Sequence, residues 1–517
     1  MTEPSTNSYD ASVIVVGAGP TGLMLANWLA KLDVDVLIVD QKSGPTRESR
    51  ALGVQARTME IYDQLGVVDE VLAGSQQGLA LAPGFGRQVF GKVPFGVLGE
   101  GTTPYPRIYV FEQSRNEHLL YANLQRLGGS VTWDHRVTAV ATEGPPESST
   151  AVVTADGPGG SVILRARYCV AADGGSSVVR TGRGIAFEGQ TNGGLFYVAD
   201  AQRVRGLVSD AVNVRPAEQD FLLTFPMGPD EHHRLIGIAE EEDHQGLTNV
   251  EESVRDRLAR VYGVEYESSR WFSTYRVHHR VASRFRDGPF FLAGDAAHVH
   301  SPVGAQGMNT GLQDAHNLAL KLVDVLRGAA PDSFLDRYQA ERRPVAQRLV
   351  RTTDRMFRTV TSPSRPAVAF RRLVMPLVAS TALRLLPRAR GGSRIFEYVS
   401  QTRIHYWMSP EARASGRRGE VVGRRLRWAG DNFEALKSVR WQVHHYADGE
   451  AATLDESVTL GLKQLGLDVT TFPAAPQTAL RSAELYLVRP DGFVAAAAPP
   501  GTATDAFRAA LPAGFFA

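Results

Sequence analysis

The sequence predicts an α/β (α+β) protein with a Rossmann-like unit, a mostly β insertion and a separate α/β unit towards the C-terminal end. Three observations predict this fold class. A buried strand, a glycine turn and a helix open the chain at residues 11–31, and β-rich segments dominate residues 187–275. A second buried strand, followed by a long helix, then starts at residue 290. A chain of 517 residues is also too long for one ordinary core.

The composition is that of an ordinary globular chain. Apolar residues make up 43% and charged residues 21%. The 56 Lys and Arg balance the 55 Asp and Glu, so the net charge of +1 gives no global field for a polyanion, and no nucleic-acid partner is expected. The single cysteine, Cys169, forms no internal disulfide and no CxxC pair, which fits a reducing compartment.

One uncharged run, Ala11–Ala30, has the length of a signal peptide or membrane span. The flank before it is acidic rather than basic, and Gly17, Gly19, Pro20 and Gly22 interrupt its middle. A buried strand that breaks into a glycine turn explains the run better. We therefore expect a cytoplasmic protein without an integral membrane segment.

After this opening, helical periods, strand alternations and turn-rich segments follow one another. Helical patterns cover residues 57–65, 112–127, 250–261 and 340–410, with a long helix from about residue 307. Strand patterns cover residues 36–39, 137–141, 151–155, 290–293, 441–446 and 485–488. Loops or short strands are expected at residues 74–101, and linkers at Gly391-Gly392 and residues 409–419.

The first motif is Gly17-Ala-Gly-Pro-Thr-Gly22, between the strand and the helix. In a dinucleotide-binding turn, Gly17 allows the tight turn, Gly19 lets the backbone approach a pyrophosphate, and Gly22 lets the helix pack on the strand. Phosphates then lie at the helix N-terminus, where free N–H groups favour negative charge. Asp40 ends the next strand and can accept a ribose hydroxyl. An ordinary α/β turn would leave Asp40 unexplained, but this motif alone does not separate NAD from FAD.

The second motif places Asp295 at the end of the strand that starts at residue 290, and a glycine-rich turn then opens a helix at Gly307. An acid at a strand end adds a polar contact for an extended cofactor. A helix N-terminus suits a ring edge that becomes anionic on reduction, although an ordinary capped helix is the alternative. The third motif, Asp173-Gly174, predicts a helix cap by Asp173 or Ser176.

In this order and spacing, the three motifs resemble those of the class A flavoprotein monooxygenases of the para-hydroxybenzoate hydroxylase fold. Gly294-Asp295-Ala-Ala-His and Gly307-Met-Asn-Thr-Gly-Leu-Gln-Asp-Ala315 carry the resemblance most specifically. Within that class the chain is similar to aromatic polyketide hydroxylases and phenol-type hydroxylases. The resemblance covers essentially the whole chain, and it includes a thioredoxin-like C-terminal domain that lacks CxxC here.

The resemblance implies an FAD-binding domain at residues 1–186 and 276–400, with residues 74–108 contributing to the substrate side. It implies a substrate-binding β domain at residues 187–275 and the thioredoxin-like domain at residues 410–517. It further implies that FAD is bound by Gly17, Gly19, Pro20, Thr21, Gly22, Asp40, Arg50, Gln113, Asp173, Asp295, Pro302, Gly304, Gly307, Met308 and Asn309.

The activity that the resemblance implies is hydroxylation of a phenolic or polyketide-like aromatic compound, with NADPH or NADH and O₂ as co-substrates, through a flavin C4a-hydroperoxide. Such a reaction needs little acid–base work from the protein, so no essential catalytic side chain is expected. No HExxH spacing is present among the thirteen histidines, and no metal is expected. Baeyer–Villiger oxidation or epoxidation on the same fold, and a non-enzymatic flavin-fold protein that sequesters a ligand, stay open.

The substrate side is least defined by the sequence. The inserted sheet offers Tyr197, Phe221, Phe225 and Met227 as candidate walls of the substrate pocket, and the same residues would serve equally well as that domain's core. A monomer or a homodimer is expected.

Overall fold

The computed structural model describes residues 9–46, 51–76, 80–145, 148–218, 220–228, 231–239, 250–300, 306–361, 364–370, 374, 390–406, 421–449 and 453–515. Of the expected FAD ligands, Arg50, Pro302 and Gly304 lie outside the described residues, as does the expected linker at residues 409–419.

The strands of the described residues form three main sheets and one short two-stranded sheet. In chain order they are β1 Ala11–Val16, β2 Val36–Val39, β3 Gly53–Val54, β4 Ala80–Phe85, β5 Gln88–Val89, β6 Val93–Pro94, β7 Tyr109–Val110, β8 Val131–Thr132, β9 Arg136–Glu143, β10 Thr150–Gly157, β11 Gly160–Ala171, β12 Phe187–Gln202, β13 Ala211–Pro216, β14 Phe221–Pro226, β15 His233–Ala239, β16 Ser268–Ala282, β17 Arg286–Asp287, β18 Phe290–Leu292, β19 His298–Val299, β20 Gln442–Tyr446, β21 Val469–Phe472, β22 Leu485–Val488 and β23 Val494–Ala498.

The α-helices lie mostly between the strands of the first sheet and in the second half of the chain. In chain order they are α1 Pro20–Lys31, α2 Ala56–Leu65, α3 Val68–Gly74, α4 Phe95–Gly99, α5 Gln113–Arg126, α6 Val178–Gly182, α7 Val250–Arg257, α8 Gly307–Leu326, α9 Asp336–Thr361, α10 Arg365–Ala369, α11 Arg390–Val399, α12 Glu456–Gln464 and α13 Pro500–Ala510.

The first sheet has the order β17-β18-β11-β1-β2-β8, and β1 pairs parallel with both β11 and β2. The predicted strands at residues 36–39 and 290–293 are confirmed, and the latter ends at Leu292. Helices α1 and α8 pack against each other, and the apolar residues of β1 are almost all buried, as expected for a parallel strand covered on both faces. Helix α1 begins at Pro20, inside the glycine motif, because proline is suited to the first helical position.

The second sheet has the order β19-β16-β12-β15-β14-β13-β4-β5. Strand β4 comes from the segment at residues 74–108 and pairs parallel with β13, so this segment does join the second sheet. Strand β16 runs without a break through residue 276, where the sequence placed a domain boundary, and pairs with β12 as far as Ala282. Helix α7 covers one face of this sheet, and the predicted helix at residues 250–261 is confirmed, with a π-helical last turn.

The expected linker at Gly391-Gly392 is wrong, because both glycines lie inside helix α11. The same helix carries Phe396, which is fully buried and packs against Phe95 with ring centroids 5.2 Å apart and the rings tilted at 45°. Burial of this large ring outweighs the poor helix propensity of two glycines. Its partner helix α4 is a short helix within a segment where only loops or short strands were expected.

The C-terminal unit is a mixed sheet of order β21-β20-β22-β23, with helices α12 and α13 in its core. The predicted strands at residues 441–446 and 485–488 are confirmed, the first beginning at Gln442. Among the described residues, no helix has both the length and the apolar character needed to cross a membrane.

Burial of His444 in this unit gives an expected pH dependence of stability. The imidazole bonds to Tyr446 and Gln442, and burial lowers its pKa to about 3. Below pH 6.5 the unfolded chain binds a proton that the folded chain does not bind, so the free energy of unfolding falls between pH 6.5 and 3. In urea titrations, we expect the free energy of unfolding to fall less from pH 7 to pH 4.5 for His444→Gln than for the parent protein. For the exposed control His118→Gln it should fall as much as for the parent. An equal fall in all three proteins would contradict the prediction.

Candidate functional site

The turn after β1 combines two crowded glycines with one open glycine. Gly17 has φ +101°, and a Cβ there would lie 2.5 Å from the Ala172 carbonyl oxygen. A Cβ on Gly22 would lie 1.9 Å from the Gly17 carbonyl oxygen. At Gly19, by contrast, a Cβ would have no atom of the described residues within 4 Å. The crowded glycines therefore bring chain segments together, and Gly19 leaves space for a ligand beside the N–H groups of the first turn of α1.

Asp40 fixes this turn to the end of β2. One carboxylate oxygen accepts a hydrogen bond from the Ala18 N–H at 2.6 Å, and the other accepts one from the Lys42 N–H at 2.8 Å. A carboxylate has about four lone-pair sites, so Asp40 can still accept a hydroxyl. The predicted spacing of glycine turn and acid thus becomes direct contact in the fold.

The loop after β11 is held by Asp173. Its Oδ2 accepts from the Val178 N–H at 2.8 Å, and Ser177, rather than Ser176, accepts from Arg180 N at 3.0 Å as the helix cap. Burial raises the pKa of Asp173, against the hydrogen bonds that lower it. The other oxygen, Oδ1, is buried without a partner among the described residues, and Gly174 beside it is open. A buried acceptor without a partner is rare in native proteins, so a ligand group is expected here.

Arg180 ties this loop to the loop after β18, a role that sequence reasoning missed. Its guanidinium donates to the Ala296 carbonyl at 2.9 Å and to the Gly175 carbonyl at 2.7 Å. The sequence signal for this role was its position seven residues after Asp173, in the helix that follows the third motif. Next to Ala296, the exposed Asp295 lies in a 3₁₀ turn of residues 294–296.

The N-terminus of α8 is fixed by the side chain of Asn309, which is fully buried. Its Oδ1 accepts from Thr58 Oγ1 at 2.7 Å and from the Gln55 N–H at 3.0 Å, and its Nδ2 donates to the Gly53 carbonyl at 2.7 Å. Because the Asn309 side-chain amide is used in these hydrogen bonds, a ligand at this helix N-terminus would bind the backbone of the first turn, from Gly307 onward. The neighbouring Met308 accepts a long contact from Asn116 Nδ2 at 3.7 Å.

Thr21 and Gln113 also make contacts within the protein. A Cβ added at Gly294 or Gly311 would lie within 2.5 Å of Thr21 Oγ1, so this hydroxyl lies between the loop after β18 and helix α8. Gln113 Oε1 accepts from the Ala51 N–H at 3.3 Å. Both side chains support the loops of the site, and Thr21 offers a ligand its backbone N–H.

A buried charge network lies behind the site. Asp314 of α8 accepts from His298 Nε2 at 2.7 Å and from Arg342 Nε at 2.6 Å, and Arg342 also donates to Tyr406 at 2.9 Å. Burial alone would raise the pKa of Asp314, but Arg342 and His298 hold it below its ordinary value. Asp314 Oδ2 also accepts from the Gly294 N–H at 3.3 Å, so the network fixes the loop after β18 to α8.

The four candidate substrate residues lie on opposite faces of the second sheet. Tyr197 stacks on Phe272 in the cluster under α7, so the structure places it in that domain's core, the alternative left open above. Phe221, Phe225 and Met227 lie on the other face, in a cluster that also contains Leu52 and Val110 from the first part of the chain.

The three loops form one cradle, and the residues present fit an extended dinucleotide such as FAD. Gly17 touches the Asp173 loop, and Thr21 touches both the loop after β18 and α8. The open Gly19, the unpartnered Oδ1 of Asp173 and two helix N-termini offer space, an acceptor and donors. No cluster of His, Cys, Asp or Glu suited to a metal ion occurs within the described ranges.

Comparisons with known proteins agree with this cradle. The profile of the family described as FAD binding domain matches residues 10–353. The chain is 31% identical over 522 residues to a 12-dehydrotetracycline 5-monooxygenase/anhydrotetracycline 6-monooxygenase of Streptomyces rimosus subsp. rimosus, covering 97% of this chain and 98% of that one. The structure is similar to OxyS anhydrotetracycline hydroxylase from Streptomyces rimosus, with TM-score 0.76, 29% identity and coverage of 98% and 99%. It is also similar to CabE, an aromatic hydroxylase from angucycline biosynthesis, with TM-score 0.73, 30% identity and coverage of 95% and 96%.

Proposed function

The chain belongs to the FAD-binding domain family and is an FAD-dependent monooxygenase, and from that premise we propose that it hydroxylates a flat aromatic compound of phenolic or polyketide type. NADPH or NADH and O₂ are its co-substrates. The family resemblance seen in the motifs is confirmed by these comparisons. Hydroxylation is also the activity of the two similar proteins, since OxyS is an anhydrotetracycline hydroxylase and CabE an aromatic hydroxylase.

The observation that carries the proposal is the apolar face of the second sheet that packs against Leu52 and Val110 from the first part of the chain. Tyr275 and Trp271 lie on this face and are only partly buried, and Tyr275 stacks on Phe196 with centroids 5.8 Å apart. Phe225 lies in the same cluster, and so does Leu52 from the first part of the chain. Aromatic side chains stack well on flat ring systems, so this face suits an aromatic substrate better than a small polar one.

In the proposed reaction, FAD supplies the redox chemistry that activates O₂ with electrons from the reduced nicotinamide. The cradle residues bind and orient it: we propose the open backbone at Gly19 for the pyrophosphate and Asp40 for the adenosine ribose. We propose Asp295 for the ribityl chain and the first turn of α8 for the ring. The apolar face positions the aromatic ring and excludes water from the reacting edge. The expected roles of Arg50, Pro302 and Gly304 belong to the same proposal.

We propose the same division of labour for the domains as the sequence predicts. Residues 1–186 and 276–400 bind FAD, residues 187–275 with residues 74–108 bind substrate, and residues 410–517 form the thioredoxin-like unit. We also propose that the enzyme acts in the cytoplasm as a monomer or homodimer. The buried single cysteine, Cys169, whose pKa burial raises, supports a reducing location because it needs no disulfide partner.

The proposal is tested by NADPH and NADH oxidation with the FAD-loaded enzyme and a panel of phenols, naphthols and anthraquinones. We expect one aromatic class to stimulate oxidation and to gain one oxygen atom, measured by mass spectrometry. Stimulation without an oxygenated product would identify an effector that uncouples the enzyme. No stimulation by any aromatic compound would contradict the aromatic assignment and favour a ketone or an olefin as substrate.

A pair of aromatic residues on β16 separates substrate contact from general packing. Tyr275 lies in the cluster that contains Leu52 and stacks on Phe196, whereas Phe272 lies in the cluster under α7 and stacks on Tyr197 with centroids 6.1 Å apart. We expect Tyr275→Ala to raise the KM for the aromatic substrate about tenfold, the effect of roughly 1.4 kcal/mol of lost stacking. Phe272→Ala should leave KM unchanged. Equal KM values for Tyr275→Ala and the parent enzyme would show that the substrate does not bind against this face of the sheet.

A further inference from the structure

A buried cluster of polar side chains joins helix α2 to the C-terminal unit. We call Arg57, Glu60, Thr103 and Arg425 the α2 cluster; each of them is at most 4% exposed. Glu60 Oε1 accepts from Arg425 Nη1 at 3.0 Å and from Thr103 Oγ1 at 2.7 Å, and Glu60 Oε2 accepts from Arg57 Nη1 at 3.0 Å. One carboxylate therefore binds two guanidinium groups from different parts of the chain.

The C-terminal unit makes further contacts with the same helix. Arg57 Nη2 donates to the Asp491 carbonyl at 2.7 Å, and its guanidinium lies 5.5 Å from the centre of the Phe493 ring. Gln64, at the other end of α2, donates to the carbonyl oxygens of Leu436 and Pro490 at 3.0 and 3.1 Å. The whole length of one side of α2 is thus bonded to residues 425–493.

Burying the charged groups of the α2 cluster costs desolvation free energy, so a role in positioning is needed to explain them. Buried ion pairs contribute little net stability, because desolvation opposes the attraction between the charges. Burial lowers the pKa of Arg425, while the nearby Glu60 carboxylate raises it. Apolar residues of the same volume would hold helix α2 and the C-terminal unit together equally well. The directional hydrogen bonds of Glu60 are therefore better explained by a need to fix the position of α2.

The other side of α2 supplies that explanation. Thr58 and the Gln55 N–H, at the N-terminal end of this helix, bind the Asn309 side chain and so hold the first turn of α8. Helix α2 therefore lies between the C-terminal unit and the helix N-terminus of the FAD cradle. Any rotation or shift of α2 moves Thr58, and with it the position of Asn309.

We propose that the C-terminal unit is a positioning element of the FAD site: Arg425, acting on Glu60, sets helix α2, and α2 sets the N-terminus of α8 through Thr58 and Asn309. Arg425 is a positioning residue, because among its described contacts are Glu60 and the Thr102 carbonyl rather than cradle atoms. The C-terminal unit, which has no redox cysteine pair, thereby has a role in cofactor binding. This inference rests on FAD binding and is independent of the aromatic substrate.

The test is the affinity of the apoprotein for FAD, followed by quenching of flavin fluorescence and by the visible circular dichroism of the bound flavin. We expect Arg425→Gln to raise the Kd for FAD about tenfold and to shift the visible spectrum towards that of free FAD. The matched control is Lys437→Gln, which breaks the 3.1 Å pair with Asp63 at the same interface but at a half-exposed position. This variant should bind FAD with the parent Kd, because exposed pairs contribute little.

Two further variants keep the test decisive. Arg425→Lys should recover part of the affinity, because it restores the charge beside Glu60. If Arg425→Gln fails to fold, Thr103→Val replaces it in the test. This variant removes the hydroxyl that donates to Glu60 with little change in side-chain shape, and it should raise the Kd for FAD by a factor of about two to three. A lower melting temperature for Arg425→Gln with an unchanged Kd and an unchanged flavin spectrum would overturn the proposal and leave a purely structural contact. An unchanged Kd for Thr103→Val in a fully folded protein would do the same.

Discussion

Replacing Gly19 with alanine is expected to abolish tight FAD binding while leaving the protein folded. No atom of the described residues lies within 4 Å of the position that the new methyl group would take, and the backbone there is not in the left-handed region. The change therefore costs the folded state little, whereas a pyrophosphate bound against the backbone would meet the methyl group directly. We expect a rise in the Kd for FAD of about a hundredfold or more, equivalent to roughly 2.7 kcal/mol. Fluorescence titration of the apoprotein measures the Kd, and thermal unfolding of the apoprotein checks the fold.

The matched control is Gly501→Ala, because Gly501 lies in the first turn of α13, close to a helix N-terminus as Gly19 is, and likewise has open space around it. That variant should bind FAD as the parent does. Gly17→Ala gives the opposite pattern: its added Cβ would meet the Ala172 carbonyl at 2.5 Å, so the apoprotein itself should lose stability. Normal FAD binding by Gly19→Ala would show that the pyrophosphate does not lie on this turn.

Replacing Asp314 with asparagine is expected to be the most destabilising of the near-isosteric changes considered for this protein. Asp314 and Arg342 are both fully buried, and the change leaves the Arg342 cation without its carboxylate. Breaking a buried pair by removing one partner costs about 3–5 kcal/mol. Urea titration measures this loss in the free energy of unfolding. The exposed control Asp336→Asn, which breaks a 2.8 Å pair with Arg286, should cost less than about 1 kcal/mol.

The pH dependence gives a second signature of Asp314. Its pKa in the folded protein is below that in the unfolded chain, so its stabilisation is present above about pH 3.9 and is lost as the pH falls through the folded value. Parent and Asp314→Asn stabilities should therefore converge in acid. A constant difference between them down to pH 2 would show that shape or hydrogen bonding, rather than charge, carries the effect.

The local elements around the cradle were predictable from the sequence because each is defined by a short motif. A glycine turn, an acid at a strand end and a helix start are defined within a few residues, so Gly17, Asp40 and the start of α8 at Gly307 follow from spacing and turn chemistry. The second sheet shows the limit of this reasoning. Whether Tyr197 or Phe221 faces the cradle depends on register against a neighbouring strand, and the alternation of apolar residues is the same on both faces.

Hydrogen-bond partners that lie far apart in the sequence could not be predicted, for a different reason. Glu60 and Arg425 look like ordinary exposed charges in a helix and a loop, and only the fold brings them together across 365 positions. The same holds for Asn309: its backbone is expected to contact the flavin, and the sequence did not indicate that its side chain bonds to Gly53 and Thr58. The glycines of α11 show the converse case, in which tertiary burial of Phe396 decides a local structure that propensity would reject.

The parallel pairing of β1, β11 and β18 has a consequence for biosynthesis. Strand β11 is complete at Ala171, but its neighbour β18 begins at Phe290, after every strand of the second sheet except β19 has been translated. At about 5–20 residues per second, the nascent chain therefore holds an unpaired apolar strand edge for on the order of ten seconds. Such edges template aggregation, so expression at low temperature or with added chaperones should raise the yield of active enzyme more than stabilising mutations in the finished core.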